Sequence, residues 1–367
     1  MPASVVLLAG EPGIGKSTLM LQMAIALHGR QHPVLYVSGE ESLGQVATRA
    51  RRLGGRQSTL PVLADTGLEN TLQHITSLKP KVVIVDSVQA VYSEEIQGAP
   101  GNVSQVREVA SQLFRLAKEQ GIAVFLVGHV TKEGYVAGPK LLEHLVDVVI
   151  YFEQTALQHR IIRAVKNRFG AANEIGVFEM TTAGLKEITD ISGLFLNSAS
   201  TRQPGSVVGC VYEGSRSVLV EVQALVSRSN YGTPQRTVTG MDYRRLALLL
   251  AVLEKFAGVD FGIYDVFVKV AGGLRVDDPA LDLATAAAIY SSRTGEVLAS
   301  NAVWIGEVGL GGEIRPVPFI ENRIKEAEKM GFERVILSAR NLEQHTVKKF
   351  SRLTLSPVNR IEELFKR

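Results

Sequence analysis

Gly10-Glu11-Pro12-Gly13-Ile14-Gly15-Lys16-Ser17 is the stretch on which the reading of this chain turns. Its two outer glycines, lysine and hydroxyl stand in the pattern G-x-x-x-x-G-K-[ST] of a phosphate-binding loop. An apolar run, Val5-Val6-Leu7-Leu8-Ala9, precedes it, and a helical pattern from Thr18 to His28 follows. That strand–loop–helix context is what the loop needs, because its backbone N–H groups turn inward as an anion nest at a helix N-terminus. Residues Gly10 to Thr18 are therefore expected to cradle ATP. Lys16 would reach the β- and γ-phosphates, and the Ser17 hydroxyl would ligate Mg²⁺.

Composition bounds what surrounds this loop. At 367 residues the chain has room for two domains with separate cores. A hydrophobic content of 46% and a charged content of 21% are those of an ordinary globular protein, not of a disordered or fibrous one. The net charge of +3 gives no global basic field, so any nucleic-acid surface must be local. The one cysteine, Cys210, excludes an internal disulfide and a cysteine-rich zinc site, and it suits a reducing cytosol. No apolar run approaches the roughly 18 residues of a membrane span, and no signal peptide is visible, so the expectation is a cytoplasmic protein with no membrane partner.

Around the loop, strand-like runs alternate with helical patterns: Val5–Ala9, Val34–Ser38, Val82–Asp86, Ala123–Val127, Val146–Phe152 and Arg160–Lys166. Short continuous apolar runs of this kind suit a parallel sheet buried on both faces. Three of them end in polar chemistry. Val82-Val83-Ile84-Val85-Asp86 offers Asp86 as a second Mg²⁺ ligand at a strand's carboxyl end. Val34 to Ser38 runs into Gly39-Glu40-Glu41, where one carboxylate would polarise the attacking water. Order along the strand favours Glu40, leaving Glu41 as a charge at a helix start. Phe125-Leu126-Val127-Gly128-His129 ends in a histidine that either senses the γ-phosphate or serves the structure alone. Beyond it, Lys132, Tyr135 and Lys140 lie in a glycine-containing stretch, and their types fit a loop that tracks single strands or an ordinary solvated loop.

With the phosphate loop, Glu40, Asp86 and His129 in place, the first half resembles the RecA/DnaB class of ATPases. Lys166-Asn167-Arg168-Phe169-Gly170 goes further and looks like the KNRFG motif of the bacterial RadA (Sms) DNA-repair family. The resemblance implies that Lys166 and Arg168 cross into a neighbour's ATP site and stabilise charge on the transferring phosphoryl group. It also implies a homo-oligomeric ring, a hexamer, acting on single-stranded DNA and branched recombination intermediates, with the RecA recombinase as a possible partner. Members of this family carry zinc in a four-cysteine segment ahead of the ATPase, and no such segment occurs here; the start at the first strand implies that it is missing from this sequence.

The second half begins after a polar stretch over 189–204, read as a linker. A β-rich region over Val207–Ser227, a helix over Tyr243–Phe256, a strand over Asp265–Val270 and an alanine-rich helix ending near Ser292 follow. This half looks like the Lon protease C-terminal domain as the RadA family carries it. Lon proteolysis uses a serine nucleophile and a lysine. The resemblance puts Ala280 at the serine position and Arg323 at or near the lysine position. A methyl group cannot attack, and arginine stays protonated, so the half is expected to be proteolytically dead. Arg228, with Arg216, Arg236, Arg244, Arg245 and Tyr231, is a candidate DNA surface.

The expected architecture is thus α/β throughout: a RecA-like ATPase over 1–188, a linker over 189–204, and a Lon-protease-like (S5-like) domain over 205–367. The expected function is a DNA-dependent ATPase and ring helicase driving branch migration. An ATP-regulated recombination scaffold without motor activity is the alternative, and an ATP-dependent protease is disfavoured by Ala280.

Overall fold

Alternate residues of the apolar runs point to opposite sides of a pleated strand, and this separates the core of the first half into two layers. In the computed structural model, Leu7, Leu35, Val83 and Val85 face one layer, while Leu8, Val34, Tyr36 and Ile84 face the other. The structure describes residues 2–55, 59–129, 139–155, 158–172, 174–196, 203–230, 232–273, 275–299, 301–344 and 353–365. The chain divides into two compact units, Met1–Ile188 and Thr189–Arg367. No helix among the described residues is long and apolar enough to cross a membrane.

The first unit runs β1 (Val5–Gly10), α1 (Lys16–Gly29), β2 (Val34–Ser38), α2 (Leu43–Arg52), β3 (Val62–Ala64), α3 (Leu68–Leu78), β4 (Val82–Asp86), α4 (Val103–Gln120), β5 (Ala123–His129), α5 (Pro139–Leu142), β6 (Val148–Gln154), β7 (Arg160–Asn167), β8 (Ile175–Thr181) and β9 (Gly184–Ile188). The sheet order is β3-β2-β4-β5-β1-β6-β7-β8-β9. Pairing from β3 through β6 is parallel; β6 through β9 pair antiparallel. The parallel half is buried on both faces, as βαβ crossovers require. Met20, Leu21 and Ala24 of α1 with Val46 of α2 cover one face. Ile75 of α3 and Val106, Val109 and Leu113 of α4 cover the other. Ser42 caps α2 in a reciprocal box with Gln45, and Asn102 caps α4 through the Gln105 N–H.

The second unit adds α6 (Ile191–Phe195), β10 (Ser206–Glu213), β11 (Arg216–Arg228), β12 (Arg236–Thr239), α7 (Tyr243–Ala257), β13 (Tyr264–Val270), α8 (Asp282–Thr294), β14 (Ala302–Ile305), β15 (Glu307–Val308), β16 (Ile314–Arg315), α9 (Ile320–Lys329), β17 (Arg334–Ser338), α10 (Ala339–Gln344) and β18 (Thr354–Val358). Its mixed seven-stranded sheet has the order β12-β13-β11-β10-β14-β17-β18. The alanines of α8 let it pack closely: its residues from Asp282 to Ser291 are all buried. Gly209 of β10 helps the same approach, because a Cβ there would lie 2.9 Å from the Cβ of Ala284 on α8.

The stretch 189–204 differs from the linker expected of it. Ile191–Phe195 form α6, with Ile191, Ser192 and Phe195 buried in the second unit. Ser192 Oγ accepts the Leu219 N–H and donates to Glu326, so a polar residue inside the expected linker is a bridge between α6, β11 and α9.

Candidate nucleotide site

The parallel strands deliver their polar residues to one edge of the sheet. Register pairs Gly10 with His129, Val127 with Asp86, and Asp86 with Ser38, just ahead of Glu40. Lys16, Glu40, Asp86 and His129 therefore converge at the carboxyl ends of β1, β2, β4 and β5, the position where open α/β sheets bind ligands.

The loop geometry follows from its glycines. Gly13 and Gly15 have φ of 77° and 115°, a region costly for any side chain. A Cβ on Gly10 would lie 2.6 Å from the Phe152 carbonyl oxygen. Helix α1 starts with no side-chain cap on its first N–H groups, so those donors and the helix dipole face the space a phosphate would fill. Glu11, Pro12 and Gly13 are exposed, whereas Ile14 and Thr18 are buried and anchor the loop from beneath.

Lys16 is 3% exposed. Its ammonium donates to the Gly10 carbonyl at 2.8 Å and the Glu11 carbonyl at 2.9 Å, and lies 3.1 Å from His129 Nδ1. Burial lowers its pKa to about 8, opposed by the carboxylates of Asp86 and Glu40. An ammonium can only donate, so Nδ1 accepts and the other ring nitrogen carries the proton. That nitrogen, Nε2, stands 3.2 Å from Glu40 Oε1. His129 thus links Lys16 to Glu40 in one chain of hydrogen bonds. The His129 bond holds the Glu40 carboxyl at about 2, with burial opposing and a bond from the Ser87 hydroxyl assisting. Glu40 is thereby an ionised acceptor at every working pH, suited to orienting a water. Glu41 turns away and pairs with Arg49 of α2.

Asp86 is 7% exposed and accepts a 2.6 Å hydrogen bond from the Tyr36 hydroxyl at Oδ2. Burial, followed by the neighbouring Asp86 charge, pushes the Tyr36 pKa upward, so the phenol remains a donor. The Ser17 hydroxyl and Asp86 carboxylate are hard oxygen donors, which is the chemistry Mg²⁺ takes when it shares its shell with nucleotide phosphates. Tyr36, Ser87 and Gln89 were not singled out by sequence. Ser87 follows Asp86 directly, which was the available signal; Tyr36 read as core, and Gln89 donates to the His129 carbonyl at 3.2 Å from a turn.

Lys166 and Arg168 lie elsewhere. Asn167 between them pairs with Val148, and Val148 with Val6. Gly10 is four residues further along β1, a separation of about 13 Å along the strands. Lys166 Nζ donates to the carbonyls of Glu143 at 2.6 Å and Val146 at 2.8 Å. Arg168 is half exposed and lies 3.4 Å from Asp147, a buried carboxylate that also takes the Val5 N–H and the Lys118 ammonium. Neither is part of its own chain's phosphate edge.

Of the DNA candidates, Lys132 and Tyr135 fall outside the described residues, as does Tyr231. Lys140 is exposed on α5 and Arg228 at the end of β11. Two of the scattered arginines have structural employment. Arg236 donates to the carbonyls of Phe261 and Tyr264, and Arg245 pairs with Asp282 across α7 and α8.

Ala280 is fully buried in the turn before α8. Arg323, 1% exposed, donates to the Cys210 carbonyl at 2.6 Å and the Pro318 carbonyl at 3.1 Å, and pairs with Asp278 at 2.7 Å. Asp278 in turn accepts the N–H groups of Tyr212 and Ala280. Arg323 and the turn around Ala280, expected at the positions of a protease dyad, form a buried clamp with β10 in which the Ala280 methyl offers no hydroxyl.

Residues 1–135 match the family model described as an AAA domain, and residues 221–341 match that described as subunit ChlI of Mg-chelatase. The DNA repair protein RadA of Halalkalibacterium halodurans is 50% identical over 348 residues, 95% of this chain and 76% of that protein. The RadA of Bacillus subtilis is 50% identical over 94% of this chain and 75% of its own length. That of Streptococcus pneumoniae is 46% identical over 100% of this chain and 87% of its own. Among solved structures, a KaiC-like protein of Pyrococcus horikoshii covers 51% of this chain and 90% of its own at 18% identity and a TM-score of 0.42.

Proposed function

The chain belongs to the RadA family of DNA repair proteins, and from that premise we propose that it is a DNA-dependent ATPase acting as a ring on single-stranded DNA. ATP and Mg²⁺ bind at the edge formed by Lys16, Ser17, Glu40 and Asp86. Glu40 orients the attacking water, and His129 reports the presence of the γ-phosphate by losing or keeping its bond to Lys16. A phosphate that draws the Lys16 ammonium away frees His129 Nδ1 and changes the bond that reaches Glu40, so nucleotide state is felt at the end of β5. The 132–140 stretch that follows, with the candidates Lys132, Tyr135 and Lys140, is where DNA is engaged; Arg228 is a candidate on the second unit. Branch migration of recombination intermediates is the proposed outcome, with a hexamer as the working assembly.

The observation that supports action between subunits is the roughly 13 Å along the strands between Lys166–Arg168 and the phosphate edge of the same chain. Two basic residues in the family motif, remote from their own ATP site, are suited to serve a neighbour's. The experiment mixes Lys16→Ala chains with Arg168→Ala chains, each inactive alone. Mixed rings contain intact interfaces and should regain part of the single-strand-stimulated ATPase. Verified mixed rings with no recovery would refute action in trans. Wild-type ATPase that single strands do not stimulate would instead favour a scaffold in which ATP controls assembly.

A further inference from the structure

The phenol of Tyr36 has a placement that core packing does not explain. Its ring lies in the layer of Leu8, Leu21 and Ile84 beneath α1, and the residue is 2% exposed. Register pairs Tyr36 with Ile84, so Asp86 is its diagonal neighbour two residues further on the same face of β4. A phenylalanine would fill the same layer without a hydroxyl to desolvate, and a buried hydroxyl is costly unless it is hydrogen-bonded. Here it donates to one oxygen of a carboxylate at the phosphate edge, at 2.6 Å.

We propose that Tyr36 is a positioning residue for the metal: its hydroxyl fixes the rotation of the Asp86 carboxylate so that Oδ1 is presented toward Mg²⁺ or its water. This rests on the reading of Asp86 as a Mg²⁺ ligand. The physical reason is that a carboxylate on a strand end rotates about its Cβ–Cγ bond. A donor locked on one oxygen removes that freedom before the metal arrives. Partners of this kind around metal ligands typically change metal affinity by ten- to a hundredfold. Because the donor comes from inside a packed core, it is held more rigidly than a loop residue or a water would be.

The test uses the full chain and compares wild type, Tyr36→Phe and Asp86→Asn. Three quantities are read: the Mg²⁺ concentration giving half-maximal ATPase, the affinity for a fluorescent ATP analogue in EDTA, and the melting temperature. Tyr36→Phe should raise the Mg²⁺ midpoint about tenfold while metal-free nucleotide affinity and melting temperature stay near wild type. A midpoint within twofold of wild type would overturn the inference. So would a parallel fall in metal-free binding and melting temperature, since the hydroxyl would then serve the fold alone. Asp86→Asn separates the two levels: if it leaves the Mg²⁺ midpoint unmoved, the ligand reading itself fails. If it abolishes the Mg²⁺ response while Tyr36→Phe behaves as wild type, only the role of Tyr36 fails.

Discussion

ATP binding should become proton-coupled above pH 8, and the cause is the burial of Lys16. With its pKa lowered to about 8, the free ammonium is about nine-tenths protonated at pH 7 but only about one-quarter protonated at pH 8.5. Triphosphate oxygens beside the group favour the charged form and raise its pKa again. Binding at pH 8.5 therefore takes up about 0.8 proton, against about 0.1 at pH 7. The sign is fixed by the direction of the shift: affinity is at its full value below the free pKa and falls as pH rises through it. Between pH 7 and pH 9 the loss is about tenfold, or about 1.4 kcal/mol. Calorimetric titration of ATP in buffers of different ionisation enthalpy measures the uptake directly. Lys16→Arg is the control, because a guanidinium stays charged throughout this range and its uptake should vanish. Equal uptake by wild type and Lys16→Arg at pH 8.5, or none by wild type, would refute the argument that burial of this lysine controls the titration.

Glu40→Gln should slow steady-state ATP hydrolysis by about 100- to 10,000-fold while leaving ATP analogue binding near wild type, since only water orientation is lost. In the second unit, Arg323→Ala strands Asp278 without its cation, and urea unfolding should show a loss of about 3 kcal/mol. That is the low end for breaking a buried pair, because Asp278 keeps two backbone donors. Arg323→Lys, which can still pair with Asp278, should lose less.

The legible part of the molecule is the part written locally. Val5 to Ser17 contains a strand, a glycine-dependent turn and a helix start in consecutive residues, so the loop could be read without knowing what packs on it. Runs such as Val82–Asp86 and Ala123–Val127 likewise announced buried parallel strands, and the extra strands β3, β8 and β9 were missed because they are short or interrupted by polar residues. The α6 segment was read as linker because Asn197, Ser198 and Ser200 dominate the composition after it, while its anchors are Ile191 and Phe195, in a short stretch of only six residues, Ile191 to Leu196. Arg236 and Arg245 were counted with a basic surface because sequence does not reveal which carbonyl or carboxylate an arginine will meet.

By itself, then, the sequence determined the chemistry available: a phosphate loop, strand-end acids and a histidine, and a segment, Lys166 to Gly170, with two basic residues. Only the tertiary structure decided how those groups divide. Parallel strands put their carboxyl ends on one edge, so Lys16, His129 and Glu40, up to 113 positions apart in the chain, share hydrogen bonds. The antiparallel pairing of β7 with β6 sends Lys166 and Arg168 to the other edge. A core tyrosine acquires a partner for the same reason, since Asp86 becomes its neighbour only when β2 and β4 pair. Side-chain identity is local, but the direction in which each strand delivers it depends on pairing between segments far apart in sequence, and that is set by the whole sheet.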